Sequence, residues 1–132
     1  MASEAELTRT MQCHCLAARR EARRITRLYE EKLRPHGLRA TQFTVLAALS
    51  IVGPIPIKEL ADRLGLERTT LTRSSVLLER DGYIRVCRSE DARRRPLELT
   101  PAGRRKLDEA YPAWKEVQER VDCDRAGSEL CR

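Results

Sequence analysis

Along the 132 residues, apolar positions recur with a helical 3.6-residue rhythm up to residue 80, switch to a two-residue rhythm around residues 83–99, and then return to the helical one. In residues 7 to about 33, Leu7, Met11, Cys15, Ile25, Leu28 and Leu33 form a narrow apolar stripe in a heavily charged, alanine-containing segment. This pattern predicts one long helix whose stripe seeks a partner, stopped by Pro35-His36-Gly37. Thr41 offers an N-cap for a second helix, 42 to about 52, in which Phe43, Leu46, Ala47, Leu49 and Ile51 are nearly all buried, closed by Gly53-Pro54. Pro56 then introduces Ile57, Leu60, Ala61 and Leu64 at i, i+3, i+4, i+7. Gly65-Leu66 makes a tight turn, and a polar stretch beginning Glu67-Arg68-Thr69-Thr70 opens another helix. That helix runs to about residue 80, turns Leu71, Leu77 and Leu78 inward, and ends at Asp81-Gly82, where glycine tolerates positive φ.

Ile84 and Val86 alternate with Tyr83, Arg85 and Cys87, and Leu97 and Leu99 flank Glu98, so two strands are predicted. Between them, Arg88 to Pro96 is a polar tip dense in guanidinium groups, a basic wing. Thr100-Pro101 is a hydroxyl N-cap followed by proline at the first helical position. It predicts a last helix to about residue 121, with Leu107, Ala110, Tyr111, Trp114, Val117 and Val121 on one face and a bend at Pro112. Residues 122–132 read as a short polar tail.

The predicted fold is therefore mainly α with a small β-hairpin wing (α+β), a winged helix-turn-helix bracketed by N- and C-terminal helices. In that order of elements the first helix of the pair braces the second, whose exposed edge enters the DNA major groove while the hairpin tip reaches a minor groove or phosphates. Arg68, Thr69, Thr70, Thr72 and Arg73 are the side chains that the Leu71/Leu78 stripe does not claim. Arg pairs bidentately with guanine O6 and N7, and Thr bonds phosphate or presents its methyl to thymine. A merely solvated helix face is the bland alternative, and the adjoining glycine turn and arginine-rich hairpin argue against it.

Composition narrows the partners. The 26 Lys and Arg against 20 Asp and Glu leave a formal charge of +6, suited to a polyanion. Only 4% of residues are aromatic, so the core must be aliphatic. No apolar run approaches the ~18 residues that span a bilayer, and residues 1–11 lack a secretory pattern, so a cytoplasmic protein without a membrane partner is expected. A Gly-rich phosphate loop, a nucleophile elbow and a metal-spaced His/Glu set are all missing, which speaks against an enzyme or a cofactor.

Leu60-Ala61-x-x-Leu64-Gly65-Leu66, Thr69-Thr70-Leu71-Thr72-Arg73, Leu78-Glu79-Arg80-Asp81-Gly82-Tyr83-Ile84, Asp91-x-Arg93-Arg94 and Leu97-x-Leu99-Thr100-Pro101-x-Gly103 together resemble the MarR-family signature over residues 7–121. The resemblance implies recognition-helix contacts from Thr69, Thr70 and Arg73, and a minor-groove contact from Arg93 oriented by Asp91. The alternative for Asp91 and Arg93 is a surface ion pair, worth roughly 0–1 kcal/mol. Arg94 and Arg95 are further wing cations, assigned on charge alone. The resemblance also implies a homodimer on a palindromic operator, repression as the commoner mode, and a small aromatic or anionic effector between the dimer helices and the winged lobe. Residues 1–36 and 101–132 would be the dimerisation segments and 37–100 the DNA-binding domain. The polar tail departs from the family, which usually continues through a further apolar helix. A winged-helix protein-interaction module, or a non-specific DNA-binding protein, is the alternative function.

The five cysteines are odd in number and irregularly spaced, so free thiols are expected. Cys13-His14-Cys15 has three readings. A metal site is opposed by geometry, because residues two apart on a helix point ~200° away from each other, and His36 is the only other histidine. Packing at a dimer seam is the ordinary fate of such small residues. Redox sensing by Cys15 or Cys13 is the third: in the organic-hydroperoxide regulators of the family a reactive cysteine precedes a tyrosine by fourteen residues, as Cys15 precedes Tyr29. The second tyrosine of that pattern is Arg19 here.

Overall fold

The computed structural model describes residues 1–88 and 94–127, and the predicted order of elements is present. Helices α1 (Glu4–Thr8) and α2 (His14–Leu33) lead to α3 (Ala40–Val52), strand β1 (Ile55–Pro56), α4 (Ile57–Leu64), α5 (Arg68–Arg80), β2 (Ile84–Val86), β3 (Pro96–Leu99) and α6 (Pro101–Ala126). One aliphatic core joins Leu33 of α2, Leu46 of α3, Leu60 of α4, Leu71 and Leu78 of α5, Ile84 of β2, and Leu107 and Ala110 of α6. Among the described residues, no helix is long and apolar enough to cross a membrane.

The structure alters four expected helix boundaries. The predicted first helix is two helices joined by a 3₁₀ turn, Arg9–Gln12, because Cys13 is extended (φ −60°, ψ 130°) and serves as N-cap of α2. Cys13 therefore does not lie on the same helix as Cys15, and the two side chains are not held at the ~200° separation of helical positions two apart. α1 starts earlier than the apolar stripe, at Glu4, because Ser3 and Glu6 form a reciprocal capping box (Ser3 N to Glu6 Oε2 2.7 Å, Glu6 N to Ser3 Oγ 3.3 Å). α3 begins at Ala40, two residues before the predicted start. Its first amides are taken by side chains: Arg39 N–H donates to Gln42 Oε1 at 2.8 Å and Ala40 N–H to Glu30 Oε1 at 3.2 Å. α6 runs through Pro112 and on to Ala126, so residues 122–126 are helical, not tail, and Gly127 closes the helix in the left-handed region.

The sheet has order β1-β3-β2, all antiparallel, with Ile84 opposite Leu99, Arg85 opposite Glu98, and Val86 opposite Leu97. Its third strand, β1, pairs Ile55 with Leu97 and was not predicted, since two residues carry no period. The predicted cap of α6 is present: Thr100 Oγ1 accepts from Gly103 N–H at 3.0 Å and donates to Gly82 O at 2.6 Å. Cys13, Cys15 and Cys87 are free thiols. Cys123 is disulfide-bonded, which corrects the expectation of free thiols. That expectation rested on the odd number and irregular spacing of the cysteines and on a reducing compartment, none of which says whether a given thiol is paired.

Candidate nucleic-acid interface

The helix-turn-helix is set by Gly65, in the left-handed region (φ 64°), whose N–H bonds Asp62 O at 3.3 Å while Leu66 N–H bonds Ala61 O at 3.0 Å. From this turn α5 emerges with Leu71, Ser75 and Leu78 buried against α3 and α4, so its opposite face points to solvent. Arg68, Thr69, Thr70, Thr72 and Arg73 are all exposed on its first two turns, and the structure gathers these five into one surface. One of them is partly committed: Thr72 Oγ1 donates to Arg68 O at 2.8 Å, which leaves its lone pairs and methyl for a ligand.

Behind α5, Tyr83 N–H bonds Leu78 O at 2.9 Å and fixes the departure of β2 from the helix end. Arg94 and Arg95 are exposed just before β3. Asp91 and Arg93 lie outside the described residues. At the base of the wing Glu98 is a shared acceptor: its Oε2 receives Arg85 Nε at 2.8 Å and the Cys87 thiol at 3.2 Å. The Arg85 hydrogen bond, followed by that of Cys87, holds the Glu98 carboxyl below its ordinary range. The Glu98 hydrogen bond, helped by burial, pushes the Cys87 thiol up. Sequence reading missed this trio, which becomes visible only once the register places Arg85 opposite Glu98. Because the thiolate is the nucleophile, Glu98→Gln is expected to bring the Cys87 thiol down and speed its alkylation several-fold at about pH 8. Peptide mass spectrometry of timed iodoacetamide reactions reads that rate, and an unchanged rate would deny the hydrogen bond its effect.

Cys13 and Cys15 are exposed at the N-terminal end of α2, a helix that packs mainly on α6. Tyr29 stands about 21 Å further along α2 from Cys15 at 1.5 Å per residue, and its hydroxyl donates to Gln118 Oε1 of α6. Within one chain the tyrosine and the cysteine therefore do not meet. His36 Nδ1 lies 3.3 Å from Glu109 Oε1, where its ring is engaged with α6.

Between α3 and α6 lies a cleft of about 550 Å³. Trp114 forms its aromatic wall, stacked on Phe43 (5.6 Å, 15°) and Tyr111 (5.8 Å, 24°). Arg104 stands at its edge, with Nε 3.1 and 3.3 Å from the two carboxylate oxygens of Asp108. Trp114 was singled out from sequence; Phe43 joins it only through the crossing of two helices.

This arrangement of elements is found in known proteins. Residues 36–95 match the MarR family. The HTH-type transcriptional regulator YwoH of Bacillus subtilis is 32% identical over 103 residues, 78% of this chain and 75% of that protein. The crystal structure of the transcriptional regulator MosR of M. tuberculosis is 40% identical over 92% of this chain and 87% of that one, with a TM-score of 0.78. MosR in complex with DNA is 42% identical over 91% and 98% of the two chains, with a TM-score of 0.72. The likeness extends from the helix-turn-helix through the flanking helices, so this chain belongs to the MarR family of winged helix-turn-helix transcription regulators.

Proposed function

We propose that the protein is a sequence-specific repressor that binds a palindromic operator in duplex DNA as a homodimer, and leaves it when a small effector binds or thiols are oxidised. The observation that carries this reading is the outward face of α5, where five Arg and Thr side chains stand clear of the core beside an arginine-bearing wing. MosR, 42% identical, has been solved in complex with DNA, which supports the same use of the face here. Arg73, with Arg68, Thr69, Thr70 and Thr72, reads base edges, while Arg94 and Arg95 neutralise phosphates. Arg93, oriented by Asp91, is assigned to the minor groove on family resemblance.

Two recognition helices must stand about one DNA turn apart, ~34 Å, to read a palindrome. Residues 1–36 and 101–132 are the segments proposed to set that spacing, with 37–100 as the DNA-binding domain. Leu7 and Met11, 56% and 62% exposed, supply apolar surface for a second copy to cover. The Trp114 cleft, with its aromatic faces and the Arg104–Asp108 pair in its lining, is the proposed seat of a small aromatic or anionic effector. The exposed thiols of Cys15 and Cys13 are the proposed oxidation sites.

The test is titration of the reduced protein with the duplex upstream of its own coding region and with a scrambled duplex, at ~150 mM salt, before and after mild peroxide. Selective binding is expected, and its loss on oxidation should disappear in Cys15→Ser or Cys13→Ser. Equal weak binding to both duplexes would favour an interaction module instead. Arg73→Ala is expected to cost ~1–3 kcal/mol on the selected duplex and relax specificity, whereas Arg94→Ala should weaken all duplexes alike. Equal losses on cognate and random DNA for Arg73→Ala would remove its base-reading role.

A further inference from the structure

Val76 is 62% exposed, and it sits within the polar face of α5 rather than at its margin. It lies seven residues after Thr69, four after Thr72, three after Arg73 and four before Arg80. At those spacings the side chains of a helix share one face, so Val76 occupies the middle of the stripe on which the proposed DNA contacts stand. The buried residues Leu71, Ser75 and Leu78 occupy the opposite side and exclude Val76 from the core. From Arg68 to Val76 is about 12 Å along the axis at 1.5 Å per residue, little more than two turns from the helix start.

A valine there is doubly unfavourable in the free protein. Its two methyl groups face water, and a β-branched residue forms helix less readily than the long polar residues suited to an exposed position. Its stiffness becomes an advantage in a complex, since little rotamer freedom remains to be lost on binding. Thr69, Thr72 and Arg73 can hydrogen-bond to a base edge or a phosphate; Val76 has no polar atom in its side chain and can discriminate only by apolar contact. The major groove of B-DNA offers one such apolar partner, the C5-methyl of thymine.

We propose that Val76 is a specificity-determining residue that reads a thymine methyl group in each operator half-site. The inference rests on the reading of α5 as the recognition helix and adds to it a position read by apolar contact alone.

The experiment uses a duplex selected from a random pool by the full-length protein, with each thymine of the half-site replaced in turn by uracil, which deletes only the methyl. One thymine per half-site is expected at which uracil weakens binding about three- to ten-fold, on the order expected for losing one or two methyl contacts. Val76→Ala should bind the parent duplex weaker by a similar factor and become indifferent to uracil at that position, while Val76→Ile keeps the sensitivity. Alanine is the better helix former at an exposed site, and an unchanged thermal melt confirms that the variant is folded. Undiminished methyl sensitivity in Val76→Ala, or no sensitive thymine in the half-site, overturns the inference while selective binding stands. A protein that selects no duplex overturns the recognition-helix reading as well, so the two failures are distinguishable.

Discussion

Replacing Gly103 with alanine is expected to destabilise the protein by about 3 kcal/mol, at the upper end of what overpacking costs. A Cβ on Gly103 would lie 2.0 Å from the carbonyl oxygen of Tyr83, 2.9 Å from its carbonyl carbon, and 2.8 Å from Leu99 Cδ1. The Tyr83 oxygen cannot step aside cheaply. It accepts the Thr100 N–H at 3.1 Å, and the Tyr83 N–H is bound to Leu78 O at 2.9 Å, so moving this residue disturbs both the end of α5 and the start of α6. Denaturant titration should show a lower midpoint, and a melt should show Tm reduced by roughly 10 °C. A loss below about 1 kcal/mol would mean that the first turn of α6 can slide away from the sheet, contrary to the close approach described.

Leu71→Ala should be comparably severe, at about 2–5 kcal/mol, because Leu71 is fully buried on the inner face of α5 and its removal leaves a cavity in the core. Its exposed neighbours behave differently. Thr70→Ala and Arg73→Ala should leave stability within about 0.5 kcal/mol, since neither side chain is packed. Melts of all three variants separate support from the proposed contact: Leu71→Ala should lose DNA binding together with folding, whereas Arg73→Ala should weaken selective binding with its melt unchanged. A Leu71→Ala protein that melts with the parent would show that α5 is not held by this residue.

How much of this was legible follows from the range of the forces involved. Ile57, Leu60, Ala61 and Leu64, then Gly65, announce a helix and its stop through local periodicity, and Thr100-Pro101 announces the next start by cap chemistry; both are present as read. The exposed face of α5 was likewise readable, since burying Leu71 and Leu78 dictates what remains outside. Interactions that cross the sequence were not. Glu30 caps Ala40 from ten residues away, and β1 exists only because β3 passes beside it. The break at Cys13 leaves the apolar stripe nearly continuous, so periodicity alone reads through it. Even Gly103, visible as part of the family signature, acquires its reason only from the carbonyl of Tyr83.

The small sheet also governs how the chain meets copies of itself. A sheet with open edges invites further strands, and a protein that must associate through defined surfaces cannot tolerate endless stacking. Here the central position belongs to β3, paired on both sides, while the two outer strands are two and three residues long. One of them contains Pro56, which has no N–H to offer, and the other carries Arg85 at its centre. Edges so short and so interrupted give another strand little to pair with, which favours association through the helical surfaces instead.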